Sequence, residues 1–159
     1  MDRLIGRVLL SRKEIHDATN VCIYASFSEE VDTRKLIRIL LNKRKTVTVP
    51  KIVGSDLELR QINSIENLES GTFGILEPKP ACPLVDPTLV DVFIVPGVMF
   101  DRKGNRRGRG KGYYDRLLKG AKAIKIGLAY SFQVVPRLPH KKYDIPMDII
   151  ITENETITP

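Results

Sequence analysis

Four short runs of this sequence are apolar almost without interruption: residues 21–27 (VCIYASF), 90–95 (VDVFIV), 123–130 (AIKIGLAY) and 148–152 (DIIIT). A strand with one wet face alternates apolar and polar residues. Runs like these are instead expected to be covered on both sides, as in a parallel sheet with helices above and below it. Residues 46–53 (TVTVPKIV) add a β-branched run that Pro50 is expected to end or bulge. Residues 57–62 (LELRQI) alternate, which predicts an exposed hairpin or edge strand. Helical stripes lie between the strands. Leu4, Val8, Leu9 and Ile15 form a short one, and Leu36, Ile37, Leu40 and Leu41 form another. The second is capped by Asp32 or Thr33 and runs to about Lys43. Residues 113–119 (YYDRLLK) predict a third helix, stopped by Gly120. Residues 69–88, with two Gly and four Pro, are expected to be an ordered loop anchored by Phe73, Ile75 and Leu76. Strands alternating with helices define the class: α/β, a single-domain three-layer sandwich over residues 1–159. The sheet is mostly parallel with helices on both faces (Rossmann-like).

Several functional classes are excluded early. No stretch approaches the ~18 uninterrupted apolar residues of a membrane span, and no secretory signal opens the sequence. Cys22 and Cys82 are single thiols without disulfide or zinc spacing, so a cytoplasmic setting is expected. A monomer is expected too. His16 and His140 have no partner at a catalytic or metal-binding spacing, and chemistry needing a histidine base is unsupported.

The chemistry points to residues 92–116, VFIVPGVMFDRKGNRRGRGKGYYDR. Here an apolar strand empties into a loop with seven Lys or Arg against two Asp, in a chain whose net charge is +7. Positive charge focused in one flexible segment beside a buried strand suits a phosphate-binding loop. The loop fits neither a Walker A pattern nor a dinucleotide fingerprint. Its alternating Gly108, Gly110 and Gly112 nevertheless let backbone N–H groups approach an anion. Arg106, Arg107, Arg109 and Lys111 offer forks and point charges to phosphate oxygens. Asp115 follows at once; it is either a helix-start or salt-bridge acid, or a Mg²⁺ ligand whose second acid is Asp144 or Asp148. The tract RRGRGKGYY also suits a nucleic-acid-binding segment. Its place between a buried strand and a helix favours a nucleotide-using enzyme, and nucleic acid is not the expected partner.

At these residues VPGVMFDRKGNRRGRGKGYYDRLL resembles the signature of the 5-formyltetrahydrofolate cyclo-ligase family, approximately P-G-v-a-F-d-x-x-G-x-R-L-G-x-G-x-G-Y-Y-D. YASFSEEVDTRKLI, TVTVPKI, GILEP and IGLAYSFQVVPRLPHKKYDIPMDIIITE are similar to further family blocks in the same order, over roughly residues 5 to 155. The resemblance implies ATP- and Mg²⁺-dependent conversion of 5-formyltetrahydrofolate to 5,10-methenyltetrahydrofolate, releasing ADP and phosphate. It implies that Arg106, Arg107, Gly108, Arg109, Gly110, Lys111, Gly112, Tyr113 and Tyr114 line the ATP phosphates. Arg109 and Lys111 would be the main charge donors in catalysis. Asp115 and Asp144 match magnesium ligands; Ala25, Glu30, Arg109 and Tyr113 match folate-contacting positions. Two departures stand out. Arg107 occupies a usual leucine position, and family members usually carry an earlier basic helix whose Lys and Arg reach the ATP phosphates. Arg3 and Arg7 are the partial substitutes in this sequence. A nucleotide-binding paralogue with weak activity or a different substrate is the alternative, and an RNA-binding module the third reading.

Overall fold

A computed structural model describes residues 1–159. Its helices are α1 (Asp2–Ser11), α2 (Lys13–Asp17), α3 (Arg34–Asn42) and α4 (Tyr113–Leu118). Strands β1 to β6 are Asn20–Ile23, Thr46–Val53, Asp56–Ile62, Leu68–Ser70, Leu76–Pro78 and Leu84–Val85. Strands β7 to β13 are Val92–Val95, Met99–Asp101, Arg106–Arg107, Ile124–Leu128, Val134–Val135, Ile149–Ile151 and Thr156–Ile157. The main sheet runs β13-β12-β10-β7-β1-β2-β3-β6. Its centre, from β12 to β2, is parallel, and the outer pairings are antiparallel. All residues of β1 and β7 are buried, as near-continuous apolar strands require.

Successive residues point to opposite faces, so each central strand feeds two cores. Val21, Ile23, Ile94 and Ile126 meet Ile5 and Leu9 of α1, Ile15 of α2, and Leu36, Ile37 and Leu40 of α3. Cys22, Phe93, Val95 and Ile150 face the other way, against Phe100, Leu118 and Met147. That second face carries only the short α4 and a three-stranded sheet, β11-β8-β9. Three layers are present, with a small sheet doing part of the work expected of helices.

Phe100 holds the small sheet to the large one. A Cβ on Gly127 would stand 2.6 Å from Phe100 Cε1, and one on Gly97 2.6 Å from Phe100 Cζ. Both positions therefore need glycine for close approach. Gly127→Ala is expected to cost about 1–3 kcal/mol, the usual penalty for overpacking. A urea denaturation midpoint at unchanged slope would measure it.

Several expectations need correction. Strand β1 stops at Ile23 rather than running to residue 27, because the chain turns at Tyr24 to build a loop described below. Pro50 neither ends nor bulges β2, which continues to Val53 with Pro50 opposite Leu59. Strand β1 pairs only with residues 46–48, so the far half of β2 has an open side that tolerates a residue without a donor. Strand β3 is not an edge, since β6 covers it. Cys82 lies in the loop between β5 and β6, and its side chain is buried against the larger core. Burial pushes the Cys22 thiol up to about 12 and leaves it inert. Charge is also less focused than expected. Residues 34–45 hold six Lys or Arg and no acid. On α3, Arg34, Lys35 and Arg38 are exposed and outside any ion pair. No helix is long and apolar enough to cross a membrane.

Candidate active site

Strand β1 lies between β2 on one side and β7 on the other, so the direction of winding reverses there. The loops leaving the carboxyl ends of β1 and β7 diverge at such a point and leave a crevice. A cavity of about 1230 Å³ opens at this place.

The loop after β1 forms one wall. Thr33 ties it shut: its hydroxyl donates to the Tyr24 carbonyl (2.6 Å) and accepts from Ser26 N–H (3.0 Å). The Tyr24 hydroxyl donates to the Val31 carbonyl at 2.9 Å. Thr33 is thus spent on the loop, and Asp32 Oδ1 accepts the Arg34 N–H at the start of α3. Ala25 is buried and borders the cavity. Glu30 Oε1 accepts from Phe27 N–H at 3.0 Å. Burial pushes the Glu30 carboxyl up to about 7, against the opposing pull of that N–H and of Arg109 and Arg106. Arg109 lies over the Phe27 ring, 5.2 Å from its centroid, and so bridges the two loops.

The basic loop after β7 is folded rather than flexible. Asp101, 1% exposed, accepts from Lys103 N–H (2.9 Å), Asn105 N–H (3.0 Å), Asn105 Nδ2 (2.9 Å) and Leu138 N–H (2.9 Å). Burial opposes its charge, yet these donors together outweigh burial and hold the carboxyl below its usual range. Gln133 Nε2 pins the start of the loop through the carbonyls of Gly97 (3.2 Å) and Val98 (3.1 Å). Strands β8 and β9 form a short hairpin, and both arginines of β9 border the cavity. Arg107 is exposed, whereas the Arg106 side chain is 5% exposed. Arg106 donates to the Pro96 carbonyl (3.0 Å), stands 3.9 Å from Asp115 Oδ1, and covers the Tyr114 ring at 5.5 Å. Its Nε is buried without a partner. Burial pulls its pKa down, resisted by Asp115, Tyr114, Asp144 and Glu30. Tyr114 packs with the second core, and burial drives its phenol upward.

Beyond Arg106 the chain crosses the cavity through Gly108, Arg109, Gly110, Lys111 and Gly112. The cationic ends of Arg109 and Lys111 are exposed and make no ion pair. Gly112, at φ +70°, turns the chain into α4, whose start has no side-chain cap. Tyr113 and Asp115 follow on that helix and face the cavity. Asp115 Oδ1 accepts from Ile145 N–H (3.2 Å), and Asp144 Oδ2 from Lys141 N–H (2.7 Å). Each carboxylate keeps its other oxygen unengaged. Asp148 belongs elsewhere; it accepts from Lys125 N–H at 2.8 Å, with Lys125 Nζ at 3.9 Å. Arg3 and Arg7, on α1, are not among the residues that line the cavity.

An apolar wall completes the site: Pro50, Ile52 and Leu57 from the β2–β3 hairpin, with Phe73 and Ile75 from the following loop. These were missed. Phe73 was expected to anchor its loop but is 62% exposed with φ +61°, presenting its ring at the cavity instead. An aromatic between Gly71 and Gly74 was the available signal. His140, Lys141 and Tyr143 also border the cavity.

Comparison with known proteins agrees with this architecture. The model of the 5-formyltetrahydrofolate cyclo-ligase family matches residues 2–153. A 5-formyltetrahydrofolate cyclo-ligase of Haemophilus influenzae is 37% identical over 147 residues, covering 87% of this chain and 78% of that protein. The Escherichia coli K12 protein of the same name is 33% identical over 145 residues, covering 87% and 80%. Among solved structures, the 5,10-methenyltetrahydrofolate synthetase of Aquifex aeolicus superposes with a TM-score of 0.88 at 41% identity, covering 99% of this chain and 80% of that one. On a match that spans nearly all of its residues, this chain belongs to the 5-formyltetrahydrofolate cyclo-ligase family.

Proposed function

We propose that this protein closes 5-formyltetrahydrofolate to 5,10-methenyltetrahydrofolate at the expense of ATP, with Mg²⁺ as the accompanying cation. One observation carries the reading: a single cavity is lined by an apolar wall, by Glu30, by unpaired cations and by two aspartates. A flat heterocycle with a donor edge fits the apolar wall and Glu30, and a triphosphate fits the cations.

The formamide oxygen of the substrate is a poor leaving group. Phosphorylation corrects this: that oxygen attacks the γ-phosphorus, the bond to ADP breaks, and an iminium phosphate forms. N10 then attacks the activated carbon, the C–O bond breaks, and phosphate leaves as N10 gives up its proton. Phosphoryl transfer needs positioning and charge neutralisation more than an acid–base residue. Arg109 and Lys111 supply mobile cations, Arg106 a fixed one, and the Gly108–Gly112 backbone close approach. Asp115 and Asp144 each keep one oxygen free, and Mg²⁺ takes one or two carboxylates together with phosphate oxygens and water, so this pair fits it. When bound, the cation would offset charge on the transferring phosphoryl group. Glu30 accepts from the pterin's donor edge, while Ala25 and Tyr113 flank the ring.

The test is direct. Protein mixed with 5-formyltetrahydrofolate and MgATP is expected to develop the near-UV band of the methenyl product, with one ADP per product. Nucleotide binding without product would give the paralogue reading precedence. RNA binding that falls steeply with salt and ignores MgATP would favour the third.

A further inference from the structure

The apolar wall and the phosphate loop are separate stretches of chain, and one side chain fastens them together. Arg116, in α4, reaches back over the helix start to the tip of the β2–β3 hairpin. Its terminal nitrogen donates to the Ser55 carbonyl, in the hairpin turn, and to the Lys111 carbonyl at 2.9 Å. Its Nε donates to Asp56 Oδ1 at 3.3 Å. The guanidinium also lies over the Tyr113 ring, 5.5 Å from its centroid. A Cβ on Gly112 would come within 2.7 Å of its Nη1, so the strap lies directly on the turn that ends the basic loop.

We infer that Arg116 is a positioning residue that couples the two halves of the cavity. The hairpin carries Pro50, Ile52 and Leu57 and is free of β1 beyond Thr48; Lys51 pairs with Glu77 of β5 along its side, and Arg116 is the tie at its tip. Lys111 is the cation next to the strap's second anchor. Filling the apolar side sets the hairpin tip, the tip sets the guanidinium, and the guanidinium sets the Lys111–Gly112 backbone. By thermodynamic reciprocity, each ligand then favours the other by the same factor. The pair with Asp56 is exposed and adds little; the terminal nitrogen that donates to both backbone carbonyls does the positioning. A lysine ammonium stands where the guanidinium carbon does, one bond short of that nitrogen.

This inference rests on the folate and ATP reading, and the experiment separates the two. Initial rates are measured over a grid of ATP and 5-formyltetrahydrofolate concentrations for the wild type, Arg116→Ala and Arg116→Lys, with circular dichroism melts as the folding control. The wild type is expected to bind ATP at least about 5-fold more tightly when folate is saturating. Both variants are expected to lose that synergy, with both KM values raised and kcat changed less. Arg116→Lys keeps the stem and charge, so it remains readable if the alanine variant misfolds. Synergy retained in either folded variant overturns the strap. So does a rise in the KM for ATP alone, which would make Arg116 a simple phosphate contact. Absence of product from the wild type would instead overturn the proposed reaction.

Discussion

Arg106→Ala is expected to lower kcat/KM by about 10²- to 10³-fold, the scale seen when one preorganised donor is removed from a reacting oxyanion's surroundings. Arg106 is the loop's one buried cation, and charge acts most strongly where water is excluded. Truncation also strips a partner from the Pro96 carbonyl and takes the cation from beside Asp115. Arg106→Lys restores charge but not the fork that serves carbonyl and carboxylate together, so it is expected to rescue little. Arg107→Ala is the control, because its exposed guanidinium is screened by solvent. Steady-state kinetics on folded protein decide the matter: equal losses at positions 106 and 107 would show that burial is irrelevant to the effect.

Glu30→Gln is expected to raise the KM for the folate substrate by about 10- to 100-fold, the worth of one charge-assisted hydrogen bond. The pH profile identifies the cause. With its carboxyl at about 7 in the free protein, Glu30 is largely protonated in mild acid and loses the charge that makes it a strong acceptor for the pterin. The wild-type KM should therefore climb as pH falls below 7, while the Gln variant shows no such slope. Stability should move the other way. Burial raises the folded-state pKa from 4.5 to about 7, so folding favours the protonated form. The stability this contributes is complete below about 4.5 and is lost as pH rises through 7. Glutamine does not ionise, so the variant should melt higher than wild type above pH 7. The difference should shrink towards pH 4.5. A higher melting temperature combined with weaker folate binding is the diagnostic pair; a pH-independent wild-type KM would remove Glu30 from the pterin's edge.

What could be read from the sequence followed physical range. Central strands were legible because burial on both faces writes itself as unbroken apolar runs, and β7 and β12 lie where those runs do. Helix α3 was legible from its stripe, although Thr33 turned out to close a loop instead of capping with its side chain. The basic loop announced its charge but concealed its order. Four donors converging on Asp101 come from residues 103, 105 and 138, and no local pattern records the last of these. Pro50 was misread because local chemistry says that proline disrupts a strand, while tolerance depends on whether a neighbour lies alongside. The apolar wall was invisible for a related reason: Ile52 and Leu57 look like ordinary strand residues until the hairpin is seen to outreach β1.

The cavity gathers residues from Tyr24 to Asp144, and Asp101 orders its loop only once Leu138 arrives. Synthesis must therefore pass residue 144 before the lining is whole. A product that stops short of that point lacks part of the pocket, so no early fragment carries a finished site.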